Sequence, residues 1–303
     1  MEFGYLNNRF YIDVPSCRWE IKDFRTEVYR RAVNLYEQNN KLMLGMSTGL
    51  DSQIVLLSCL DQGIPIECVF MYLPGYNDFE MGNISMVEKR FGIKVQILDF
   101  DPYELKNDLI EESEETKIHP NQLLHKKFLS LLPEDALFLQ GIDGPCVVPA
   151  KGRFFYFESY NSFEVSRYRA FKLLNRSGGN EIFDKESEVL LSILNDDTYK
   201  GFLYTFNYFD NNKLRKDKAF LTTIDRWDYY IKPIIYGKYF RDELLYFAKY
   251  DTSQAIPYLV DTPHKWREHG ISIPYELFLE HLKSCNGETK RFYENTVIGE
   301  KIS

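Results

Sequence analysis

Apolar runs and stretches of helical periodicity alternate through the first half of the chain. Apolar runs of strand length predict buried strands at 41–46, 66–72, 93–100 and 136–140. The segments between them carry apolar residues at helical spacing and predict helices at about 52–61, 78–91, 102–115 and 120–132. Because strands separated by helices form mostly parallel sheets, the pattern predicts an α/β fold with a doubly wound sheet.

The flanking regions follow less regular patterns. Residues 3–14 predict a strand hairpin and residues 18–39 a helix, while 150–160 predict a strand and the Gly-rich segment 175–180 a loop. Further helical patterns lie at 163–175, 186–195, 239–250 and 275–284. We therefore expect three parts without a separating linker: a hairpin and helix at 1–40, a sheet core at 41–150, and a mainly helical part at 151–303.

Composition narrows the class of protein. The 303 residues carry a formal net charge of -8 and no long Lys/Arg block, which argues against nucleic acid or a membrane surface as a partner. The N-terminus does not resemble a signal peptide, and no stretch approaches the roughly 18 apolar residues of a membrane span. The five cysteines form no C-x-x-C pair, which is typical of a reduced, cytoplasmic protein without structural zinc.

The turn after the first core strand carries the strongest chemical signal. It reads Ser-Thr-Gly-Leu-Asp-Ser and opens directly into a helix, whose first N–H groups and dipole favour an anion. The hydroxyls add donors, Gly49 allows close approach, and Asp51 suits Mg²⁺ placed between the carboxylate and phosphate. The candidate ligand-binding residues are Met46, Ser47, Thr48, Gly49, Leu50, Asp51 and Ser52. The alternative is an ordinary turn in which Asp51 or Ser52 caps the helix.

This turn resembles the S-G-G-x-D-S loop of the PP-loop ATP pyrophosphatases, the adenine nucleotide alpha-hydrolase-like superfamily. The synthetase domain of asparagine synthetase is the nearest member, and Thr48 departs from the usual Gly. The resemblance implies that residues 41–150 bind Mg²⁺ and ATP, which is cleaved between the α and β phosphates, with Asp51 as a metal ligand. It also implies that the end of the second core strand, at Phe70 and Met71, holds the adenine.

A second turn follows the last core strand. The loops at 47–52, 72–77 and 141–146 all follow strands of the predicted parallel sheet, so they can face one crevice. Asp143, in a Gly-Ile-Asp-Gly turn, is then either a second Mg²⁺ ligand, a group that holds a substrate amine, or a plain turn residue. Asparagine synthetase has an acidic Gly-rich turn at the comparable place. Asp78 and Glu80, after the second strand, are interpreted as ordinary residues of a helix N-terminus.

A basic segment lies late in the chain. Lys265 and Arg267 flank a Trp in a Pro-bounded segment, and two cations there could neutralise departing pyrophosphate. The alternative is a solvated basic turn. Asparagine synthetase carries an Arg-x-Pro-Phe segment, a helix, and a Lys-x-x-Leu-Arg motif whose Lys contacts pyrophosphate. Residues 230–235, the predicted helix 239–250 and residues 257–267 resemble that order in looser form.

The resemblance implies an adenylating ligase that forms AMP and pyrophosphate. It would activate a carboxylate or carbonyl oxygen of a small acceptor for attack by ammonia or an amine. Since no N-terminal Cys nucleophile or glutaminase domain precedes residue 41, the nitrogen is expected from free ammonia, the substrate, or a separate ammonia-donating protein. Two alternatives stay open: a sulfurtransferase or sulfate-nucleotide-reductase-like enzyme using Cys146 or Cys285, and a non-catalytic nucleotide-binding subunit, which Thr48 favours.

Overall fold

The structure is a computed structural model. It describes residues 2–6, 9–13, 17–75, 77–116, 120–141, 147–150, 153–159, 170–171, 173–179, 181–183, 186–198, 232–247, 291–292 and 296–301. The helices are α1 Phe24–Asn39, α2 Leu50–Leu60, α3 Asp78–Phe91, α4 Pro102–Thr116, α5 Pro120–Ser130, α6 Ser187–Leu194 and α7 Lys232–Phe240. The strands are β1 Glu2–Leu6, β2 Arg9–Asp13, β3 Leu42–Gly45, β4 Ile66–Tyr72, β5 Val95–Asp99, β6 Leu137–Gln140, β7 Val147–Ala150, β8 Arg153–Ser159, β9 Gly178–Gly179, β10 Arg291–Phe292 and β11 Thr296–Lys301.

Five of these strands form one parallel sheet in the order β5-β4-β3-β6-β9. The chain builds outward from β3 through α2, β4, α3 and β5, and then returns through α4 and α5 to place β6 on the other side of β3. The strand order therefore reverses between β3 and β6, which is where ligands bind in open α/β sheets. The predicted α/β fold is confirmed.

Side chains of β3 show why the sheet is covered on both faces. Leu42 and Leu44 point into a large core with α1, α2 and α7, while Met43 points into a second core with α5. All three are at most 2% exposed. Alternation along a strand sends neighbouring side chains to opposite faces, and a parallel sheet needs helices over both. The apolar run at 41–46 is thus explained by burial on two sides.

The remaining strands lie outside the parallel sheet. β1 and β2 pair as an antiparallel hairpin, which confirms the hairpin predicted at 3–14. β8 confirms the strand predicted at 150–160, and it belongs to an antiparallel sheet of order β10-β11-β8-β7. The strands β10 and β11 of this sheet were not predicted. The mainly helical character of residues 151–303 stays a prediction, because the structure describes only parts of that range.

Two helix boundaries differ from the sequence predictions. The helix predicted at 18–39 begins at Phe24, because the Asp23 carboxylate accepts a hydrogen bond from the Thr26 N–H and caps it there. The helix predicted at 239–250 is wrong over residues 241–247, and residues 248–250 lie outside the described residues. α7 instead runs from Lys232 to Phe240 and is followed by a turn, and Pro233 is compatible with its first turn because the ring fixes φ near the helical value.

The segment predicted as a loop at 175–180 contains strand β9, so the prediction is wrong at residues 178–179, whereas residues 175–177 form a turn and loop as predicted. Gly178 and Gly179 pair with Phe138 and Leu139 at the sheet edge. A Cβ on Gly178 would lie 2.3 Å from the Phe138 carbonyl oxygen, so only glycine allows this pairing. The helix predicted at 186–195 is confirmed by α6. Of the helix predicted at 163–175, residues 170, 171 and 173 are helical. The first part of that range and all of 275–284 lie outside the described residues.

Candidate functional site

The loop between β3 and α2 folds back on the first turn of the helix. The Met46 N–H donates to the Val69 carbonyl over 2.8 Å, so the pairing with β4 continues one residue past β3. The Oγ atoms of Ser47 and Ser52 lie 2.7 Å apart, and the Gly49 N–H donates to Ser47 Oγ over 3.2 Å. These bonds hold both hydroxyls at the entrance to the helix.

The N-terminus of α2 has no side-chain cap. Its N-cap residue is Gly49, and Asp51 and Ser52 lie inside the helix, so the alternative that one of them caps it is wrong. The N–H groups of Leu50, Asp51 and Ser52 belong to the first helical turn, where the helix supplies no acceptor. Backbone donors and the positive end of the helix dipole together make this turn suited to bind an anion.

The residue after β6 lies against the same turn. A Cβ on Gly141 would lie 2.3 Å from the Ser52 N atom and 2.4 Å from the Asp51 carbonyl carbon, so glycine is required there. The loop after β3 and the chain leaving β6 therefore meet at the switch point of the sheet. Asp143, two residues further on, lies outside the described residues.

Asp51 is buried and bonded to a distant tyrosine. Its side chain accepts a hydrogen bond of 2.6 Å from the Tyr236 hydroxyl of α7, and the two residues are 6% and 0% exposed. The sequence analysis missed Tyr236. The two residues are separated by 185 positions, and nothing in a single sequence links them.

Gln53 joins the loop to the chain after α7. This fully buried side chain donates from Nε2 to the carbonyls of Thr48 and Leu245, over 3.2 and 2.9 Å. Its Oε1 accepts from the Leu245 N–H over 2.8 Å. A buried amide whose donor and acceptor are both used fixes the backbone on both sides.

Glu80 lies close to the loop, so its interpretation as an ordinary residue of a helix N-terminus is incomplete. Burial raises the pKa of its carboxyl group. Hydrogen bonds from the Thr48 backbone N–H and the Asn77 side chain oppose this shift. A second acidic group thus lies close to the loop.

Phe70 and Met71 were expected to hold adenine. Phe70 is 3% exposed and packs in the core with α2, whereas Met71 packs on the opposite face of the sheet. Their side chains therefore cannot both contact one adenine. The Met71 carbonyl accepts a hydrogen bond of 2.8 Å from the Asn77 amide. The adenine site at this strand end stays a prediction.

The remaining groups to consider are the cysteines, the possible metal ligands and the basic residues late in the chain. Cys59 and Cys68 are buried, and burial raises the pKa of each thiol to about 12, so both are protonated core residues. In the described part of the chain no group of three or more His, Cys, Asp or Glu side chains could hold a metal ion. A Mg²⁺ that shares one carboxylate with phosphate oxygens does not require such a group. The following residues lie outside the described ranges: Cys146, Lys265, Arg267 and Cys285.

The sheet, its switch point and the uncapped helix define an α/β protein with a loop suited to bind an anion. Among the residues that the structure describes, no helix has the length and apolar character needed to cross a membrane. No protein-family model and no curated protein matches the chain.

Solved structures give loose likenesses. One is the NH3-dependent NAD synthetase from Campylobacter jejuni subsp. jejuni NCTC 11168, with 12% identity, a TM-score of 0.34, and 75% of this chain and 100% of that chain covered. Another is the NMN synthetase from Francisella tularensis, with 11% identity, a TM-score of 0.35 and coverage of 74% and 98%. A third is the NAD+ synthetase from Burkholderia pseudomallei, with 14% identity, a TM-score of 0.27 and coverage of 40% and 54%. At these TM-scores the likenesses carry no function over to this chain.

Proposed function

We propose that the chain is an ATP-dependent adenylating ligase that forms AMP and pyrophosphate. An acceptor oxygen, from a carboxylate or a carbonyl, would attack the α-phosphorus, and the bond to the bridging oxygen of pyrophosphate would break. Ammonia or an amine would then attack the activated carbon and release AMP. The observation that carries this proposal is the uncapped N-terminus of α2 at the sheet's switch point, with two hydroxyls and a buried carboxylate around it.

The roles of the loop residues follow from charge. Negative charge builds up on the pyrophosphate as it leaves, and fixed donors around that position lower the barrier. The N–H groups of residues 50–52 and the hydroxyls of Ser47 and Ser52 would bind the phosphate oxygens. A bound Mg²⁺ would supply the balancing positive charge, and Asp51 is the described carboxylate suited to hold it.

Three further residues complete the proposed site. Lys265 and Arg267 would neutralise the leaving pyrophosphate, and Asp143 would be a second Mg²⁺ ligand or a group that holds the amine. Gly141, two residues before Asp143 in the sequence, lies against the backbone of Asp51 and Ser52, and this supports the proposed role of Asp143. We propose further that the ligase resembles the synthetase domain of asparagine synthetase and that its acceptor is a small carboxylate or carbonyl compound.

Phosphorus NMR of Mg-ATP with the protein, ammonium and a pool of small carboxylates and amines tests the proposal. We expect AMP and pyrophosphate with the natural sequence and neither with Asp51→Asn. Asp61→Asn, at the other end of α2, is the matched control and should retain activity. Formation of ADP and phosphate would overturn the proposed attack at the α-phosphorus.

A second candidate function is nucleotide binding without turnover. Thr48 favours it, because its side chain restricts the backbone of the loop at a position where the resembled loop has Gly. Tight binding of Mg-ATP with no AMP formed from any acceptor in the pool would support this candidate over the ligase.

A further inference from the structure

The hydroxyl of Tyr236 has a fixed place beside Asp51. The Tyr236 ring stacks on Phe24, with centroids 5.5 Å apart and planes inclined by 7°. It also stacks on Phe183, with centroids 6.3 Å apart and an inclination of 25°. All three side chains are fully buried. Because the ring is held between aromatic neighbours, its hydroxyl cannot follow a moving carboxylate, and the carboxylate must orient toward the hydroxyl.

The backbone around this contact is held as well. Gln53, two residues after Asp51, bonds to Leu245 in both directions, and Leu245 lies five residues after the end of α7. The first turn of α2 is thus joined to α7 through Tyr236 and to the chain that follows α7 through Gln53. This double connection fixes the distance between the ring and the loop.

We propose that Tyr236 is a positioning residue that orients the Asp51 carboxylate toward the Mg²⁺ of a bound Mg-nucleotide. This inference rests on the proposed function. A hydrogen bond from a hydroxyl to an ionised carboxylate is a strong one, and because the carboxylate has about four acceptor positions, such a bond can orient it without excluding a cation. Partners of this kind orient metal ligands, and their loss costs about 10- to 100-fold in metal affinity.

The experiment compares Tyr236→Phe with Tyr239→Phe, its matched control. Both substitutions remove one hydroxyl of α7 that donates to a buried carboxylate, but Tyr239 donates to Asp196 and not to the loop. The probe is α,β-methylene-ATP, which is not cleaved between the α and β phosphates, titrated calorimetrically at increasing Mn²⁺. The nucleotide is also titrated in EDTA, and the melting temperature of each variant is measured.

We expect Tyr236→Phe to raise the Mn²⁺ concentration for half-maximal binding by about 10-fold or more while affinity in EDTA is unchanged. Tyr239→Phe should leave both values unchanged. Phe183→Leu, which keeps the Tyr236 hydroxyl but loosens the ring, should give a smaller increase of the same sign and keeps the inference testable if Tyr236→Phe fails to fold. A purely structural role would lower the melting temperatures without changing the Mn²⁺ requirement, and that result would overturn the inference.

The same titrations separate the two proposals. If the natural sequence shows no metal-dependent nucleotide binding, the proposed function fails and the inference fails with it. If the natural sequence binds and Asp51→Asn loses the metal dependence, but Tyr236→Phe does not change it, only the inference is wrong.

Discussion

Helix α7 presents two tyrosines to two buried carboxylates, and the two pairs differ in their surroundings. Tyr236 donates to Asp51 over 2.6 Å at the switch point of the parallel sheet. Tyr239 donates over 2.7 Å to Asp196, just past the C-terminus of α6, where Lys238 also binds that carboxylate over 2.6 Å. A helix C-terminus disfavours an anion, so Asp196 needs the cation that the protein provides.

The comparison distinguishes a structural carboxylate from a candidate ligand-binding one. Asp196 is paired with a cation of the protein, and its bonds join α6 to α7. Asp51 lies in the first turn of a helix, which is suited to anions, and we propose that it contacts a Mg²⁺ bound with the nucleotide. The same hydroxyl-to-carboxylate bond therefore serves stability in one pair and, as we propose, orientation in the other.

The largest expected effect separates activity from stability. Asp51→Asn keeps an acceptor for the Tyr236 hydroxyl but removes the charge, and we expect AMP formation to fall by about 10²- to 10³-fold. Asp196→Asn should keep activity and lose stability. Activity assays and urea unfolding of both variants check this. Loss of activity in Asp196→Asn, with the protein still folded, would contradict the division.

Gly141→Ala tests whether the site around the Asp51–Tyr236 pair depends on the close approach of the Gly141 backbone to α2. The added Cβ would meet the backbone of α2 at 2.3 Å, so we expect a loss of about 1–3 kcal/mol in the free energy of unfolding, together with weaker nucleotide binding. Gly82→Ala is the control, because a Cβ there meets nothing within 4 Å. In the interior of a helix it should stabilise by about 0.5–1 kcal/mol. Equal effects of the two substitutions would argue against the close approach.

Acid unfolding should reveal the Asp196 pair. Burial opposes ionisation of Asp196, but hydrogen bonds from Lys238 and Tyr239 outweigh it and lower the pKa from 3.8 to about 2. The unfolded chain then binds more protons in this window, so stability is present above pH 3.8 and is lost as the pH falls toward 2. About 1–2 kcal/mol of the free energy of unfolding should be lost there, and Asp196→Asn should remove that loss. An unchanged acid profile in Asp196→Asn would refute the assignment.

The smallest effect concerns Glu80, whose pKa changes in the opposite direction. Burial raises its pKa above 4.5, so the folded chain binds more protons just above that value. Stability should therefore fall slightly as the pH rises through this window. Glu80→Gln should remove the fall, which urea unfolding at closely spaced pH values can measure. An unchanged fall in that variant would show that another group is responsible.

Local sequence patterns were sufficient to predict most strands of the parallel sheet. They could not predict contacts between residues far apart in the sequence. Alternation of apolar runs was sufficient for β3 to β6, because a strand buried on both faces has a nearly continuous apolar sequence. The loop after β3 was predicted from its own residues. β9 was missed because its two glycines are typical of a loop. Their pairing with Phe138 and Leu139 depends on a contact that forms only in the folded chain. The Asp51–Tyr236 bond joins residues whose proximity arises only from folding.

The hydrogen bonds within the loop between β3 and α2 affect the entropy cost of binding a ligand and the rate of amide exchange. Hydrogen bonds of the Gln53, Ser47 and Ser52 side chains hold the loop backbone through contacts within the protein itself. A rigid receptor loses little conformational freedom when it binds, so affinity gained at this loop is not reduced by the cost of ordering it. The amide hydrogens of Met46 and Leu245 should consequently exchange with deuterium only through large-scale opening of the molecule, slowly even without nucleotide, and bound nucleotide should slow them further because it stabilises the folded state.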